Sequence, residues 1–593
     1  MDIELEKKTA QVLEYLGRIS KGKSNVSPSD PIAKMMLVAL LHEIQKVEDY
    51  LGGMEDRIVD RFCEDFIPRK NICAMPAIAL INAKPKTGTQ IVKVDHCAAF
   101  SYKIGGRSTL NYLPLFRSMA MPFTDIYTLT PYRLSHASAS YEITMGRNDC
   151  LWVGIETLAE IESLKGLSLM VKGTNGVSPE WIFVGTDRKE LDFADMSRME
   201  FIEMLEPFDS QQSSGEFFSF WDEWKSALTD LQDQSLLYIT DDLTDRDVFK
   251  PKPYPKMFLQ WLESDMLEIF PDNILWICLK FPEGYEVPET CSVSLNILPV
   301  VNIDINTVTL TQAAPIAKLQ KTDNSYFLHI IETSSTANRQ GFGMMNDEVT
   351  VRDFDASCYH DGDLYREVRS LYNRFINDYH AFVEYNGLKD GEVLRQLREV
   401  INKIGKSVGE YNARYNFDSG TYVMKNMSNF PSSSSVKVSY MSTMGKIGNT
   451  PKAGQALENR KYPMLEKELS VVVSACGGAN KASADEKYEQ LRYYSMTEDR
   501  LFTMKDIESF IRKELVSEFG KDECRRIFIR MKIEGTAGLK QLQRGLYINI
   551  EFKDRKNYEL ARSLSFDVRT HRRILNRSCI SMPIIISLIN LEK

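Results

Sequence analysis

The chain has 593 residues, of which 43% are hydrophobic and 26% are charged. These values are typical of globular proteins and exclude wholesale disorder, and the length predicts about three to five folding units. The net charge is -9, with 73 Lys and Arg against 82 Asp and Glu. This balance argues against a chain whose main role is to neutralise nucleic-acid phosphates.

The first residues lack the basic start and apolar core of a signal peptide. The longest early apolar run, Met35 to Leu41, is too short to span a bilayer. We therefore expect a soluble cytoplasmic protein without direct membrane insertion. Ten cysteines show neither a CxxC pair nor an even framework, which predicts reduced and mostly buried thiols.

A long amphipathic helix is predicted after Asp30-Pro31, because an Asp cap followed by Pro is a favoured helix start. About 30 residues of helix extend roughly 45 Å, longer than a small domain is wide, so we expect part of this helix to bind another chain. Residues 1–70 are assigned to this helical segment. Its apolar positions step by three and four, and the predicted partner-binding stripe is Ile44, Val47, Leu51, Met54, Ile58 and Phe62.

The predicted fold class is α+β and multidomain. Residues 71–345 carry short alternating runs separated by turn residues, which predict a β-rich, wing-like region. Two helices are predicted within it, at 213–231 and 255–269. Residues 346–415 predict a helical hairpin, and the Ser-, Gly- and Pro-containing residues 416–465 predict a long loop or linker.

Residues 466–593 predict a ferredoxin-like module with the order βαββαβ. Residues 526–534 and 545–553 alternate between apolar and polar side chains, as half-buried strands do. Thr503 and Asp506 resemble a capping box at a helix start. Further strands near 469–474 and 580–588, and a helix marked by Leu560, Leu564 and Val568, complete the order.

Signatures of catalysis are weak throughout the sequence. Gly405-Lys406-Ser407 lacks the first glycine of a phosphate-binding loop, and Lys46 replaces the second histidine of an HExxH zinc motif. The densest set of potential metal ligands runs from Asp353 to Asp363, but it lacks the glycine and terminal glutamate of a calcium loop. We interpret it as a helix-leading loop and expect no enzyme activity, no cofactor and no metal.

The C-terminal residues 511–577 have an excess of eight positive charges. A basic ferredoxin-like module is compatible with RNA recognition, which is the alternative function of a different class. The polar face of the strand at 545–553 offers only Tyr547 for base stacking, so we favour an acidic protein partner and expect no nucleic acid.

Three segments resemble the baseplate wedge subunit TssF of bacterial type VI secretion systems, the ImpG/VasA family. The first is Asp30-Pro31 with the helix and proline-introduced strand through residue 81. The second comprises residues 95–102 and Asn111 to Leu115. The third, SVSLNILPVVNID at 292–304, is similar to an NCxPVVN pattern, and the family-motif residues here are Asn296, Pro299, Val300 and Asn302.

This resemblance implies a structural subunit that scaffolds sheath assembly around the spike hub. The implied partners are a TssG-like subunit, a second copy of the chain within the wedge, TssE-like and TssK-like proteins and the spike hub. The implied location is the cytoplasm, at the inner face of the cytoplasmic membrane complex. The C-terminal segment from Asp499 to Leu515 is closer to J-type baseplate proteins of phage tails and extracellular injection particles, which is the alternative within the same class.

Overall fold

A computed structural model describes most of residues 73–195, 234–335, 349–354, 420–425, 435–537 and 542–590, with single positions between 59 and 67 and between 396 and 403. The chain divides into two compact units, residues 1–66 with 349–424 and residues 67–348 with 425–593. The predicted helix after Asp30-Pro31, the helix at 213–231 and most of the helical hairpin lie outside the described residues.

Strands dominate the described part of the chain, as predicted for residues 71–345. The first half contains β1 (Ile78–Asn82), β2 (Val92–Val94), β3 (Phe100–Ile104), β4 (Ser108–Pro114), β5 (Ser118–Ala120), β6 (Asp125–Leu129), β7 (Arg133–His136), β8 (Ala139–Glu142), β9 (Cys150–Glu156), β10 (Ser168–Lys172), β11 (Trp181–Val184), β12 (Lys189–Leu191), β13 (Phe193–Asp195), β14 (Gln234–Ile239), β15 (Ile274–Lys280), β16 (Ser292–Leu295) and β17 (Ile297–Val301). The second half contains β18 (Asp304–Thr311), β19 (Ile316–Lys318), β20 (Tyr326–Ser335), β21 (Thr350–Phe354), β22 (Gly420–Met424), β23 (Ser435–Thr443), β24 (Ala456–Asn459), β25 (Glu468–Cys476), β26 (Ile527–Ala537), β27 (Leu542–Phe552) and β28 (Ile584–Asn590).

Described helices are concentrated near the C-terminus. They are α1 (Ser264–Leu267), α2 (Ala484–Thr497), α3 (Met504–Phe519), α4 (Lys521–Cys524), α5 (Arg555–Ser563) and α6 (Phe566–Arg577), with 3-10 helices at Lys256–Gln260 and Gly445–Asn449. The capping box of Thr503 and Asp506 at the start of α3 is confirmed. The helix predicted at 255–269 is instead a 3-10 turn followed by the short α1.

The centre of the larger unit is a closed barrel with the strand order β1-β17-β4-β3-β24-β25. Alternate residues of β1 and β17 face opposite sides, as the two-residue period of a strand requires. Ala79, Ile81 and Val300 belong to the cluster inside the barrel, whereas Leu80 and Val301 pack outwards.

A β-sandwich packs against this barrel. One face of the four-stranded sheet β13-β14-β10-β16 carries Met170 and Leu236, which belong to the cluster that covers the barrel. The opposite face of the same sheet carries Val171 and Leu237. That second face packs on the seven-stranded sheet β12-β11-β15-β9-β6-β7-β8. Because this sheet is also covered on its far side by Phe258 and its neighbours, both of its faces are apolar.

Residues 416–465, predicted as a long loop or linker, contain the three strands β22, β23 and β24 and the 3-10 helix at Gly445–Asn449. β23 pairs with β18 and β20 in a three-stranded sheet, and β24 joins the barrel between β3 and β25. Val436, Val438 and Tyr440 alternate with more exposed residues and are buried, which is the pattern of a half-buried strand. The neighbouring serines and glycines concealed this pattern in the sequence.

The C-terminal region differs from the predicted ferredoxin-like module. β25, the predicted first strand, pairs with β1 and β24 in the barrel, so the C-terminal sheet contains β26, β27 and β28. β26 and β27 are antiparallel, and β27 and β28 are parallel. The two strands predicted at 526–534 and 545–553 are confirmed, and the predicted second helix is split into α5 and α6 by Ser565 at φ 48°.

The smaller unit contributes the antiparallel pair of β21 and β22 to the described residues. β21 lies at the start of the predicted helical hairpin and includes Asp353. Among the residues that the structure describes, no helix is both long enough and apolar enough to cross a membrane.

Candidate functional site

The predicted partner-binding stripe is described at one position only. Ile44, Val47, Leu51, Met54 and Ile58 lie outside the described residues, as do Asp30 and Pro31 of the family motif. Phe62 is helical and its side chain is 48% exposed, whereas the helical Val59 and Cys63 are buried. The end of the stripe therefore lies on a surface, and its binding role stays a prediction.

The first motif asparagine, Asn296, joins three segments of the larger unit. Its side chain accepts a hydrogen bond from the Met121 N–H and donates one to the Met121 carbonyl, both at 2.9 Å. Its own N–H donates to the Ser168 carbonyl, and its carbonyl accepts from the Ala83 N–H. Its φ of 58° lies in the left-handed region, which asparagine tolerates better than most residues.

The second motif asparagine, Asn302, performs the same role beyond the other end of β17. Its Nδ2 donates to the Asn111 carbonyl at 2.9 Å. Its Oδ1 accepts from the Thr443 hydroxyl at 3.1 Å and from the Met444 N–H at 3.0 Å. Only 1% of Asn302 is exposed, so these bonds are shielded from water.

The residues between the two asparagines occupy β17. Pro299 lies opposite Leu80 of β1, and its carbonyl accepts the Leu115 N–H at 3.1 Å. Val300 is fully buried inside the barrel. A Cβ added to Gly448 would lie 2.8 Å from Asn302 Oδ1, so glycine permits the close approach of this segment. We call Asn296, Pro299, Val300 and Asn302 the strand-17 motif; its arrangement is architectural.

A partly buried ionic seam joins α6 to α3 and to the segment just before α3. Arg573 pairs with Glu514, Arg569 Nη2 lies 2.6 Å from Glu518 Oε1, and Arg577 Nε lies 3.1 Å from Asp499 Oδ1. The arginines are spaced by four residues and therefore lie along one face of α6. This spacing is visible in the sequence, where these arginines form part of the predicted basic region.

The seam fixes the charge of Glu514. Burial raises the pKa of this carboxyl, but attraction by Arg573, Lys513, Arg569 and Arg577 outweighs burial and lowers the pKa to about 2. Burial also raises the pKa of Glu518, but attraction by Arg569 and Lys446 outweighs burial, and the pKa is lowered. Both groups are therefore carboxylates at neutral pH.

These pKa values predict an acid-sensitive seam. A carboxyl whose pKa is depressed by folding contributes stability above its unfolded pKa, and the contribution is lost as the pH falls through the folded value. For Glu514 that window runs from about pH 5 down to about pH 2 and involves about 3 kcal/mol. We expect the protection factors of the α3 and α6 amides, taken relative to the intrinsic exchange rate at each pH, to fall across this window, and E514Q to flatten the dependence. An unchanged pH profile in E514Q would contradict the assignment.

Two thiols form a second cluster that the sequence analysis missed. Cys150 of β9 and Cys278 of β15 are each 1% exposed and lie on the same side of the seven-stranded sheet. A hydrogen bond with Cys278 lowers the pKa of Cys150, while the same bond and burial raise the pKa of Cys278. Because both are shielded from solvent, we interpret them as core residues. Cys73, by contrast, is exposed, so the expectation of buried thiols does not hold there.

The predicted helix-leading loop is described only at Asp353, which lies in β21 rather than in a loop. The other potential ligands of that run lie outside the described residues. In the part of the chain that the structure describes, no group of three or more His, Cys, Asp or Glu side chains is placed to hold a metal ion.

The basic C-terminal residues are largely engaged by acidic neighbours. Arg525 and Arg526 lie 3.3 Å and 3.9 Å from Asp522 and Glu523, three residues earlier. Tyr547 lies on the face of the sheet opposite the buried Leu546 and Ile548. The excess of eight already counts Glu514, Glu518, Asp522 and Glu523, so these pairs redistribute the charge of the region, and only Asp499 of the seam adds a carboxylate from outside it.

Comparisons with known proteins find no matching family model and no matching curated protein. Several solved structures match at low sequence identity. One is a chain of the type VI secretion system TssK-TssF-TssG baseplate subcomplex, with 10% identity, a TM-score of 0.41 and coverage of 94% of this chain and 96% of that chain.

Two further solved structures are similar over a comparable length. The baseplate complex from the type VI secretion system matches with 10% identity and a TM-score of 0.34, covering 99% of this chain and 96% of that chain. The anti-feeding prophage baseplate matches with 8% identity and a TM-score of 0.27, covering 98% of this chain and 70% of that chain.

Proposed function

We propose that this chain is a structural baseplate wedge subunit of a contractile injection machine, of the TssF type found in type VI secretion systems. The observation that carries the proposal is the resemblance of segment 292–304 to the family pattern. Support comes from the roles of the matching residues: Asn296 and Asn302 tie β17 to neighbouring segments at both ends. The two matching asparagines therefore have an architectural role in this chain.

The proposed subunit acts by holding other chains rather than by catalysis. The helix predicted in residues 1–70 would enter a bundle with a TssG-like subunit and a second copy of this chain. The β-rich residues 71–345 would form a wing, the part of residues 346–415 beyond β21 a helical hairpin, and the C-terminal α/β region a further contact surface. Contacts with TssE-like and TssK-like proteins and with the spike hub complete the proposed set of partners.

The proposed location is the cytoplasm, where the wedge would assemble at the inner face of the membrane complex. The alternative within the same class is a J-type baseplate protein of a phage tail or an extracellular injection particle. Genes for sheath, tube and spike proteins next to this one would be expected in either case. A membrane complex encoded with them would distinguish the secretion system from the particles.

The variant Leu51→Glu tests the proposal most directly. A glutamate in the predicted stripe would leave a charge buried without a partner at the helix interface, and such a charge is strongly unfavourable. We expect Leu51→Glu to abolish co-purification with a co-expressed TssG-like subunit while the chain stays soluble.

The matched control is Gln45→Glu, which adds the same charge to the same predicted helix beside the stripe. We expect this control to co-purify as the unchanged chain does. Normal co-purification of Leu51→Glu would remove the stripe from the proposed interface. Failure of the unchanged chain to bind any TssG-like subunit would count against the function itself.

A further inference from the structure

An open pocket of about 380 Å³ lies on the outer wall of the barrel. It is lined by Ser101 of β3, Thr109 and Asn111 of β4, and Arg460 and Lys461 of the turn after β24. Its volume is within the range of small-ligand sites, about 300–1,000 Å³. None of these residues belongs to the strand-17 motif or to the predicted partner-binding stripe.

The lining is rich in hydrogen-bond donors. Arginine has five N–H donors and lysine has three, and both lack an acceptor. The Asn111 amide has two N–H donors, of which one reaches Asp304 Oδ1 at 2.6 Å. The hydroxyls of Ser101 and Thr109 can each donate one further hydrogen bond. No carboxylate is among the lining residues, so the pocket suits a ligand that accepts hydrogen bonds.

Ser101 supplies an independent indication of a ligand. It is 6% exposed, and its hydroxyl has no hydrogen-bond partner among the described residues. A buried hydroxyl without a partner is unfavourable, and such groups are uncommon in proteins. Because this oxygen is shielded from solvent, the Ser101 side chain would have to rotate about χ1 for a ligand oxygen in the pocket to satisfy it.

The turn that carries the two cations is held in place before any ligand binds. Asn459 is 7% exposed, and its Nδ2 donates to the carbonyls of Tyr462 at 2.7 Å and Glu466 at 3.1 Å. Its Oδ1 accepts the Tyr462 N–H at 3.0 Å. Arg460 and Lys461 lie between these anchors, so little ordering of the backbone would be required on binding.

Neighbouring acids reduce the positive charge only in part. Glu458 Oε2 lies 2.9 Å from Arg460 Nη2 and 3.1 Å from Lys103 Nζ, and these contacts lower the pKa of Glu458 to about 2. Glu458 is thus shared between two cations, Lys461 adds a third positive charge, and Asp304, bonded to Asn111, is a second carboxylate beside the pocket, which leaves one net positive charge. The remaining guanidinium N–H groups of Arg460 can still reach a ligand.

We propose that this pocket binds an oxyanion, a carboxylate or phosphate group, through Arg460, Lys461, Asn111 and the Ser101 hydroxyl. The oxyanion is either a free small molecule or, resting on the proposed function, an acidic side chain of a neighbouring baseplate subunit. Both sources present the same oxygen acceptors to the same donors.

Calorimetric titration of the full chain with inorganic phosphate and with acetate, at fixed ionic strength, tests the site itself. We expect saturable binding of at least one of the two anions to one site. The double variant Arg460→Gln, Lys461→Gln should weaken it at least tenfold, while Lys467→Gln, an exposed lysine on the following segment, should leave it unchanged.

The variant Ser101→Ala separates ligand binding from folding. It should weaken binding about fivefold, the effect of one hydrogen bond, without lowering the thermal unfolding midpoint, because the hydroxyl is unbonded in the free chain. Absence of saturable binding, or equal affinity in the double variant, would overturn the proposal.

Co-purification with the TssG-like subunit distinguishes the two sources of the oxyanion. If phosphate competes with assembly and the double variant assembles less, the occupant is a partner carboxylate. If phosphate binds but assembly is unaffected, the occupant is a free oxyanion. Failure of the unchanged chain to assemble would reject the proposed function and leave the titration result standing.

Discussion

Asn302→Leu is expected to lower the free energy of unfolding by about 3–5 kcal/mol, because it leaves several buried polar groups without partners. The Met444 N–H, the Thr443 hydroxyl and the Asn111 carbonyl all bond the Asn302 side chain. Leucine is similar in size but can satisfy none of them. The measurement is urea unfolding combined with hydrogen exchange of β1 and β17.

Asn148→Leu is the matched control for this prediction. Asn148 is exposed, and its side-chain bond to Glu286 is long, at 3.4 Å. The same substitution there should change the free energy of unfolding by no more than about 0.5 kcal/mol. Equal effects at the two positions would show that the strand-17 motif does not hold the barrel to its neighbours.

Glu514→Gln is expected to destabilise the C-terminal region by about 3–5 kcal/mol at neutral pH. Arg573 and Lys513 both pair with Glu514, and Lys513 is itself only 7% exposed. Removing the carboxylate therefore leaves buried positive charge uncompensated. Hydrogen exchange of α3 and α6 at neutral pH measures the loss where it occurs.

Glu559→Gln provides the corresponding control on the surface. Glu559 pairs with Arg555 four residues earlier, and both side chains are more than half exposed. Such a pair contributes at most about 1 kcal/mol, so this variant should retain nearly full protection. A similar loss of protection in both variants would indicate that burial of the seam does not determine its importance.

Local sequence patterns predicted individual strands and helices correctly, but they did not predict which other elements these strands and helices contact. The alternation of Ile527, Ile529 and Met531 with Phe528, Arg530 and Lys532 predicted β26, and Thr503 with Asp506 predicted the start of α3. Each depends on residues close in sequence. The strand at 468–476 was also predicted correctly as a strand, but its partners were not, because β1 lies nearly 400 residues earlier.

The candidate sites show the same division. The strand-17 motif stood out as a resemblance, yet its role required the positions of Met121, Asn111 and Thr443, none of which is close in sequence. The oxyanion pocket had no sequence signal, because Ser101 and Arg460 are ordinary residues until β3 and β24 become neighbours.

The amino-acid sequence by itself determined the β-rich centre, the capping box at the start of α3, the C-terminal strand pair and the resemblance to baseplate subunits. These depend on side-chain periodicity and short-range hydrogen bonding, which a linear pattern records. Only the tertiary structure decided that β24 and β25 close a barrel, that Glu514 and Glu518 meet the arginines of α6, and that donors gather around Ser101. Such features depend on which distant segments pair with each other. Strand register and burial determine this pairing through contacts between residues that are far apart in the sequence.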